Sequence, residues 1–345
     1  MTVISDAAGL HIERVAAPSV TFPLAGVARS LSNALSRTVE RATVAGAVRA
    51  MESGDRVRLM RYIERGRDWH NRLSMPSAVQ MSVAMDGLSI APASRVPGRA
   101  SWLQHDDFGD DAILVYVHGG SFIADRSPRL TALIARIAKA ARLKTLMVDY
   151  RLAPEHPCPA AVDDVCEAVV GAVREGYAPA RIGLVAESAG ASIALAAALR
   201  LRDHGTRLGA IALLSPWTDL ALTGRSAAAR SVTGDTPISM ESMAICSHFY
   251  LQGRSPLDPL ASPVYGDLRG LAPMMIHTSR TDALHDDARM LANRVHAAGG
   301  GVTLRVWASG GHVFERLFDG QSERAIGDIG AFLSARVGAA ATRRF

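Results

Sequence analysis

Short apolar runs recur through the second two thirds of the chain: Ala112 to Val117, Leu143 to Val148, Ile182 to Val185, Leu208 to Leu214, Met274 to Ile276 and Val302 to Val306. Ala112 to Val117 is continuously apolar, as a strand buried on both faces must be, and the other runs repeat its texture. Helical stretches alternate with the runs, at Arg129 to Ala141, Pro159 to Glu175, Ala189 to Asp203, His285 to Ala298 and Gln321 to Val337. Strands alternating with helices of this length predict right-handed βαβ crossovers and a mostly parallel, doubly wound sheet, an α/β fold. Ser77 to Met85 and Ala100 to Gln104 read as further strands, and Asp106 to Asp111 as an acidic turn.

Two stretches break the alternation. Between Gly26 and Met51, Leu31, Leu35, Val39 and Val44 return on one helical face, with Arg37, Glu40 and Arg41 between them. A second helix is expected from about Asp55 to Asn71, and residues 1 to 25, with Pro18 and Pro23, read as an extended arm. Trp217 to Pro263 has turn residues, two helical patches and no strand. An insertion after a strand's carboxyl end lies where open α/β sheets place their ligands. The expected division is residues 1–75 as arm and helices, and 76–345 as the main domain with an insertion at about 217–262.

Composition narrows the class. The 345 residues are 48% hydrophobic, enough for a large core, yet no run approaches the eighteen or so apolar residues of a membrane span. The first residues show no basic region followed by an apolar one, so no signal peptide is expected. Cys158, Cys166 and Cys246 form no ligand-spaced cluster, which points to a reducing, cytoplasmic setting without structural disulfide or zinc. The net charge is +5, and between Gly26 and Met75 ten arginines face five acids. A basic amphipathic segment of that kind suits peripheral contact with an anionic membrane; the plainer reading is a solvated helix face. No aromatic-basic motif supports nucleic-acid binding.

The chemistry centres on Leu184-Val185-Ala186-Glu187-Ser188-Ala189-Gly190. An apolar run stops at a serine flanked by small residues, and a strong helix former follows at once. A nucleophile elbow needs this, because a strained strand-to-helix turn admits only small side chains two positions before and after the serine. Alanine at 186 departs from the glycine of G-x-S-x-G. Serine hydrolases on doubly wound sheets order their groups serine, acid, histidine. Asp282 follows the Met274 to Thr278 strand, and His312 follows the last strand, so these complete the expected triad with Ser188. His277, His285, His296, Asp286 and Asp287 are the weaker rivals, the two aspartates reading as helix N-terminal charge. His118-Gly119-Gly120 closes the first long apolar run. Its glycine N–H groups, with that of Ala189, form the expected oxyanion hole. His118 reads as a brace for that loop.

Four motifs together resemble the bacterial esterase branch of the hormone-sensitive lipase family of α/β hydrolases. They are His118-Gly119-Gly120, Asp149 to Pro157, Glu187-Ser188-Ala189-Gly190 and Ser215-Pro216-Trp217-Thr218-Asp219-Leu220. Val96-Pro97-Gly98, Asp258 to Pro263, Leu284 to Asp287 and His312-Val313-Phe314 extend the likeness over Val96 to Phe318. The resemblance implies carboxylic ester hydrolysis through an acyl-Ser188 intermediate, with no metal or cofactor, on small to medium acyl esters. It maps the oxyanion donors to Gly119, Gly120 and Ala189. It also implies a cap built from residues 1–75 and 217–262 and, by analogy with members that dimerise, admits a homodimer. Ser121 departs from the common third glycine of the HGGG loop. An amidase, deacetylase or lactone hydrolase would use the same residues, and a catalytically inactive small-molecule-binding module is the reading from another class.

Overall fold

The computed structural model describes residues 2–5, 11–15, 42, 45–73, 75–233 and 239–338. Among them one sheet holds β1 (Thr2–Ser5), β2 (His11–Val15), β3 (Ser89–Pro92), β4 (Ala100–Gln104), β5 (Gly109–Val117), β6 (Leu143–Val148), β7 (Ile182–Glu187), β8 (Ala210–Leu214), β9 (Met274–Ser279) and β10 (Val302–Trp307). The strand order is β1-β2-β10-β9-β8-β7-β5-β6-β4-β3. Neighbours from β2 to β6 run parallel, and the outer pairs are antiparallel. After β6 the chain crosses back over β5 to reach β7 and then continues outward. The winding therefore reverses beside β5, which opens a crevice at the carboxyl ends of β5 and β7.

The pleat sends successive side chains to opposite faces, so each central strand feeds two cores. Leu184 and Ala186 of β7 face a core closed by the helices Ala160–Arg174, Gly190–Asp203 and His285–Ala297. Val185 faces the other core, closed by Pro128–Ala141 and Gly320–Val337. Helix Gly190–Asp203 is buried almost all round, from Gly190 through Leu199, as an element enclosed by its neighbours must be.

The stretch read as a strand at Ser77 to Met85 is instead a helix, Ala78–Met85. Ser77 and Gln80 form a capping box, each side chain accepting the other's backbone N–H. Met81, Ala84 and Met85 then point to the second core at helical spacing. The acidic turn is shorter than expected, because Gly109 already pairs within β5 and a register shift separates it from Ile113. The arm at residues 1 to 25 contributes β1 and β2. Parallel pairing of β2 with β10 is reinforced where Arg305 meets Glu13 at 2.6 Å. The helix expected from Asp55 to Asn71 is Arg56–Leu73. Of the one expected from Gly26 to Met51, residues 26–41 lie outside the described residues and 45–52 are helical. The inserted segment carries helices Arg225–Thr233 and Met240–Leu251, and residues 234–238 lie outside the description.

Candidate active site

Strand β7 ends at Glu187, and Ser188 turns the chain at φ +52° before the helix opens at Gly190. That left-handed conformation costs a non-glycine residue about 1–3 kcal/mol, and the surroundings hold it in place. Ser188 N–H donates to Leu214 O at 3.0 Å, and Ser188 O accepts from Trp217 N–H at 3.0 Å. A Cβ on Gly190 would stand 2.4 Å from the carbonyl oxygens of Val117 and His118, so only glycine fits there. Ala186, by contrast, is fully buried opposite Val117 and Leu213, where its methyl group is part of the core.

The structure brings the three expected side chains together. Ser188 Oγ lies 2.9 Å from His312 Nε2, and His312 Nδ1 lies 3.1 Å from Asp282 Oδ1. All three are buried. An ionised carboxylate only accepts, so the network assigns the proton to Nδ1 and leaves Nε2 to accept the Ser188 hydroxyl. Asp282 Oδ1 also accepts the Leu284 N–H at 3.0 Å. Burial acts to raise the Asp282 carboxyl. The His312 charge and hydrogen bond, the Leu284 N–H and the Ser215 hydroxyl outweigh it and hold the group below the usual carboxylate range.

Cross-links between the loops after β9 and β10 set the spacing of acid and base. Gly311 N–H donates to Thr281 Oγ1 at 3.1 Å, and Ser279 Oγ donates to Gly311 O at 3.2 Å. Ser215 Oγ, at the end of β8, accepts the Val313 N–H at 2.9 Å. Three residues past His312, the fully buried Glu315 meets the fully buried His277 of β9 at 3.4 Å. His277 thus lies within the sheet beside Glu315, apart from the Ser188–His312–Asp282 contacts. His285 and His296 lie on the helix that follows, outside the triad.

The loop after β5 begins at His118. His118 is buried and stacked on Tyr150 with centroids 4.3 Å apart, and the Tyr150 hydroxyl donates to His118 O at 2.7 Å. Burial pushes His118 down to about 4, so it is neutral and serves as a brace. Gly119 differs from expectation as an oxyanion donor. Its N–H donates to the Glu187 carboxylate, beneath the elbow. Among the described residues, the N–H groups of Gly120, Ser121 and Ala189 meet no protein acceptor. Phe122 follows with fully buried rings around it, stacked on Tyr250 at 4.1 Å and tilted against Trp217 at 5.2 Å.

Two features of this region were not legible beforehand. Arg67, on an N-terminal helix, donates to Ile123 O at 2.5 Å, to Ala153 O at 3.1 Å and to both oxygens of Glu155. It ties that helix to the segment just after the glycine loop. Asp287, in the first turn of its helix, also accepts the backbone N–H groups of Thr218 and Asp219 at 3.0 and 3.2 Å. Asp286 likewise accepts the Ser226 N–H at 2.9 Å.

Burial, with the charges of Asp219 and Asp282, pushes Asp287 up to about 8. Below that pH the folded protein holds a proton that the unfolded chain releases near 4, so this group's contribution is full in acid and is lost as pH rises towards 8. Compared with Asp287→Asn, the wild type is expected to lose stability by up to ~1.4 kcal/mol per pH unit across that window. Urea unfolding of both proteins at pH 5.5 and 7.5 checks this. Parallel slopes would show that Asp287 is ionised throughout.

Among the described residues, no group of three or more His, Cys, Asp or Glu side chains is placed to hold a metal ion, and no helix is long and apolar enough to cross a membrane. A profile of the α/β-hydrolase fold matches residues 114–316. An acetyl-hydrolase of Streptomyces hygroscopicus is 38% identical over 232 residues, covering 66% of this chain and 77% of that protein. An esterase of Acinetobacter venetianus is 29% identical, covering 64% and 74%. Among solved structures, an esterase from the bacterial hormone-sensitive lipase family superposes with a TM-score of 0.74 at 33% identity, covering 80% of this chain and 92% of that one. A hormone-sensitive lipase from a metagenome library gives 0.73 at 31%, covering 80% and 91%. With the sheet order, the elbow and these likenesses in agreement, the chain belongs to the hormone-sensitive lipase family of α/β hydrolases and is a hydrolase.

Proposed function

We propose that this protein hydrolyses carboxylic esters of small to medium acyl groups through an acyl-Ser188 intermediate. The observation that carries the reading is the chain of hydrogen bonds from Ser188 through His312 to Asp282 at a strained elbow. His312 Nε2 takes the Ser188 proton as Oγ attacks the ester carbonyl, and the carbonyl π pair moves to oxygen. Collapse of that tetrahedral species expels the alcohol, which leaves with the proton from His312. Water then repeats the sequence on the acyl-enzyme and frees Ser188 and the acid. Asp282 keeps the imidazole in the required tautomer and stabilises the imidazolium between steps.

The unpartnered N–H groups of Gly120, Ser121 and Ala189 supply the oxyanion hole. Each such donor is typically worth a hundredfold or more in rate. Ser121 takes the place first expected of Gly119; a serine N–H donates as well as a glycine's. The closely packed rings of Phe122, Trp217 and Tyr250 beside this loop support small acyl groups, as do the names of the acetyl-hydrolase and esterase relatives. The cap consists of the helices within residues 1–75 together with the segment 217–262. A cavity of about 240 Å³ between Leu59, Met60, Glu155, His248 and Phe249 lies where the two parts meet.

The test is intact-mass spectrometry after a serine-directed fluorophosphonate, with turnover of p-nitrophenyl acetate, p-nitrophenyl butyrate and p-nitroacetanilide. One adduct, absent from Ser188→Ala, and ester turnover well above anilide turnover are expected. Anilide turnover equal to ester turnover would make the protein an amidase. A folded wild type without adduct or turnover would favour a binding module.

A further inference from the structure

Strand alternation gives Glu187 a different position from its neighbour Ser188. Val185 faces the core beneath helices Pro128–Ala141 and Gly320–Val337, and Glu187, two residues on, faces the same way. Tyr116, on the adjacent β5, shares that face. The Glu187 side chain is thereby buried below the glycine loop, with 3% of the residue exposed. Its Oε1 accepts both the Tyr116 hydroxyl, at 2.9 Å, and the Gly119 N–H.

The fit is close on every side. A Cβ on Gly119 would stand 2.6 Å from Glu187 Oε2 and 3.0 Å from Ser188 Cβ. The preceding carbonyl, of His118, is held by Tyr150. A buried carboxylate is costly unless donors surround it. Burial lifts Glu187 above the usual carboxylate range, against the pull of Gly119, Tyr116, His312 and Arg316. A group so placed is retained at a cost. What it visibly does is hold the first N–H of the loop, while the next two have no partner among the described residues.

We propose that Glu187 is a positioning residue for the oxyanion loop: by holding the Gly119 N–H from below, it turns the N–H groups of Gly120 and Ser121 towards the space beside Ser188. Tyr116 fixes the carboxylate for that task. The inference rests on the serine-hydrolase reading above. Glu187 touches neither substrate nor the reacting atoms, so its loss acts on the transition state through the loop and leaves ground-state binding almost unchanged.

The experiment measures kcat and KM separately for p-nitrophenyl acetate in Glu187→Gln, Glu187→Leu and Tyr116→Phe, with Ser188→Ala alongside and thermal melts for each. The amide oxygen of Glu187→Gln still accepts the Gly119 N–H, so kcat is expected within ~5-fold of wild type. Glu187→Leu offers no acceptor, and kcat is expected to fall ~100-fold, about the worth of one oxyanion donor, with KM little changed. Tyr116→Phe frees the carboxylate to turn and is expected to cost ~10-fold in kcat, less than the full donor. Wild-type kcat in folded Glu187→Leu overturns the proposal. If that variant does not fold, wild-type kcat in Tyr116→Phe overturns it. A raised KM at unchanged kcat also overturns it, by placing Glu187 in substrate binding. Undiminished turnover in Ser188→Ala would instead sink the serine-hydrolase reading itself.

Discussion

Substituting His312 by alanine is expected to lower kcat on p-nitrophenyl esters by roughly 10⁴–10⁶-fold, the range seen when an acting base is removed from a serine triad. The ring is in hydrogen-bond reach of both Ser188 Oγ and Asp282. Without it, no other side chain among the described residues is hydrogen-bonded to Ser188 Oγ to take the proton. His118 is neutral, stacked on Tyr150 and turned to the Gly119 carbonyl. His277 is buried against Glu315. The fold should survive, because the loop carrying residue 312 is also held by Gly311, Val313 and Glu315. Asp282 keeps the Leu284 N–H. Losing one partner of a buried carboxylate is expected to cost ~1–3 kcal/mol of stability. Stopped-flow turnover with a parallel melt checks both halves. Turnover within tenfold of wild type in a folded His312→Ala would reassign the base.

The parts of this molecule that were readable in advance are those whose physics is local. Strands β5, β7 and β8 declare themselves because burial on both faces requires unbroken apolar runs such as Ile113-Leu114-Val115. The order Ser188, Asp282, His312 follows from a parallel sheet whose loops gather at one end. Strands β1 to β3 did not declare themselves, since they lie at the sheet margins and carry mixed residues such as Ser89, Ile90, Ala91 and Pro92. Helix Ala78–Met85 reads as a strand because Val79 and Val83 favour strands, whereas the decisive signal is the Ser77–Gln80 capping box. The site details that escaped depend on contacts distant in sequence. Gly119 is turned by an acid sixty-eight positions away, and Asp287 holds backbone at Thr218 and Asp219. Neither pairing leaves a mark in local spacing.

Asp282→Asn is the second substitution with a large expected effect, a fall in kcat of roughly 10³–10⁴-fold with KM within a few fold. The amide is nearly the same size, so packing around this fully buried position is kept. Two things are lost. The negative charge that meets the imidazolium disappears, and that charge is coupled closely enough to His312 to hold the Asp282 carboxyl below its ordinary range despite burial. The amide can also present its NH₂ to Nδ1, which would draw the proton to Nε2 and point a donor at Ser188 where an acceptor is required. Asp287→Asn is the matched control, since it too replaces a buried acid by its amide, in the first turn of the following helix, where the acid accepts the N–H groups of Thr218 and Asp219. Its kcat is expected within about tenfold of wild type, as the acid acts on the backbone of the insertion and not on His312. If the two variants exchanged these outcomes, the orienting acid would be Asp287, and the 3.1 Å contact between Asp282 and His312 would be incidental to turnover.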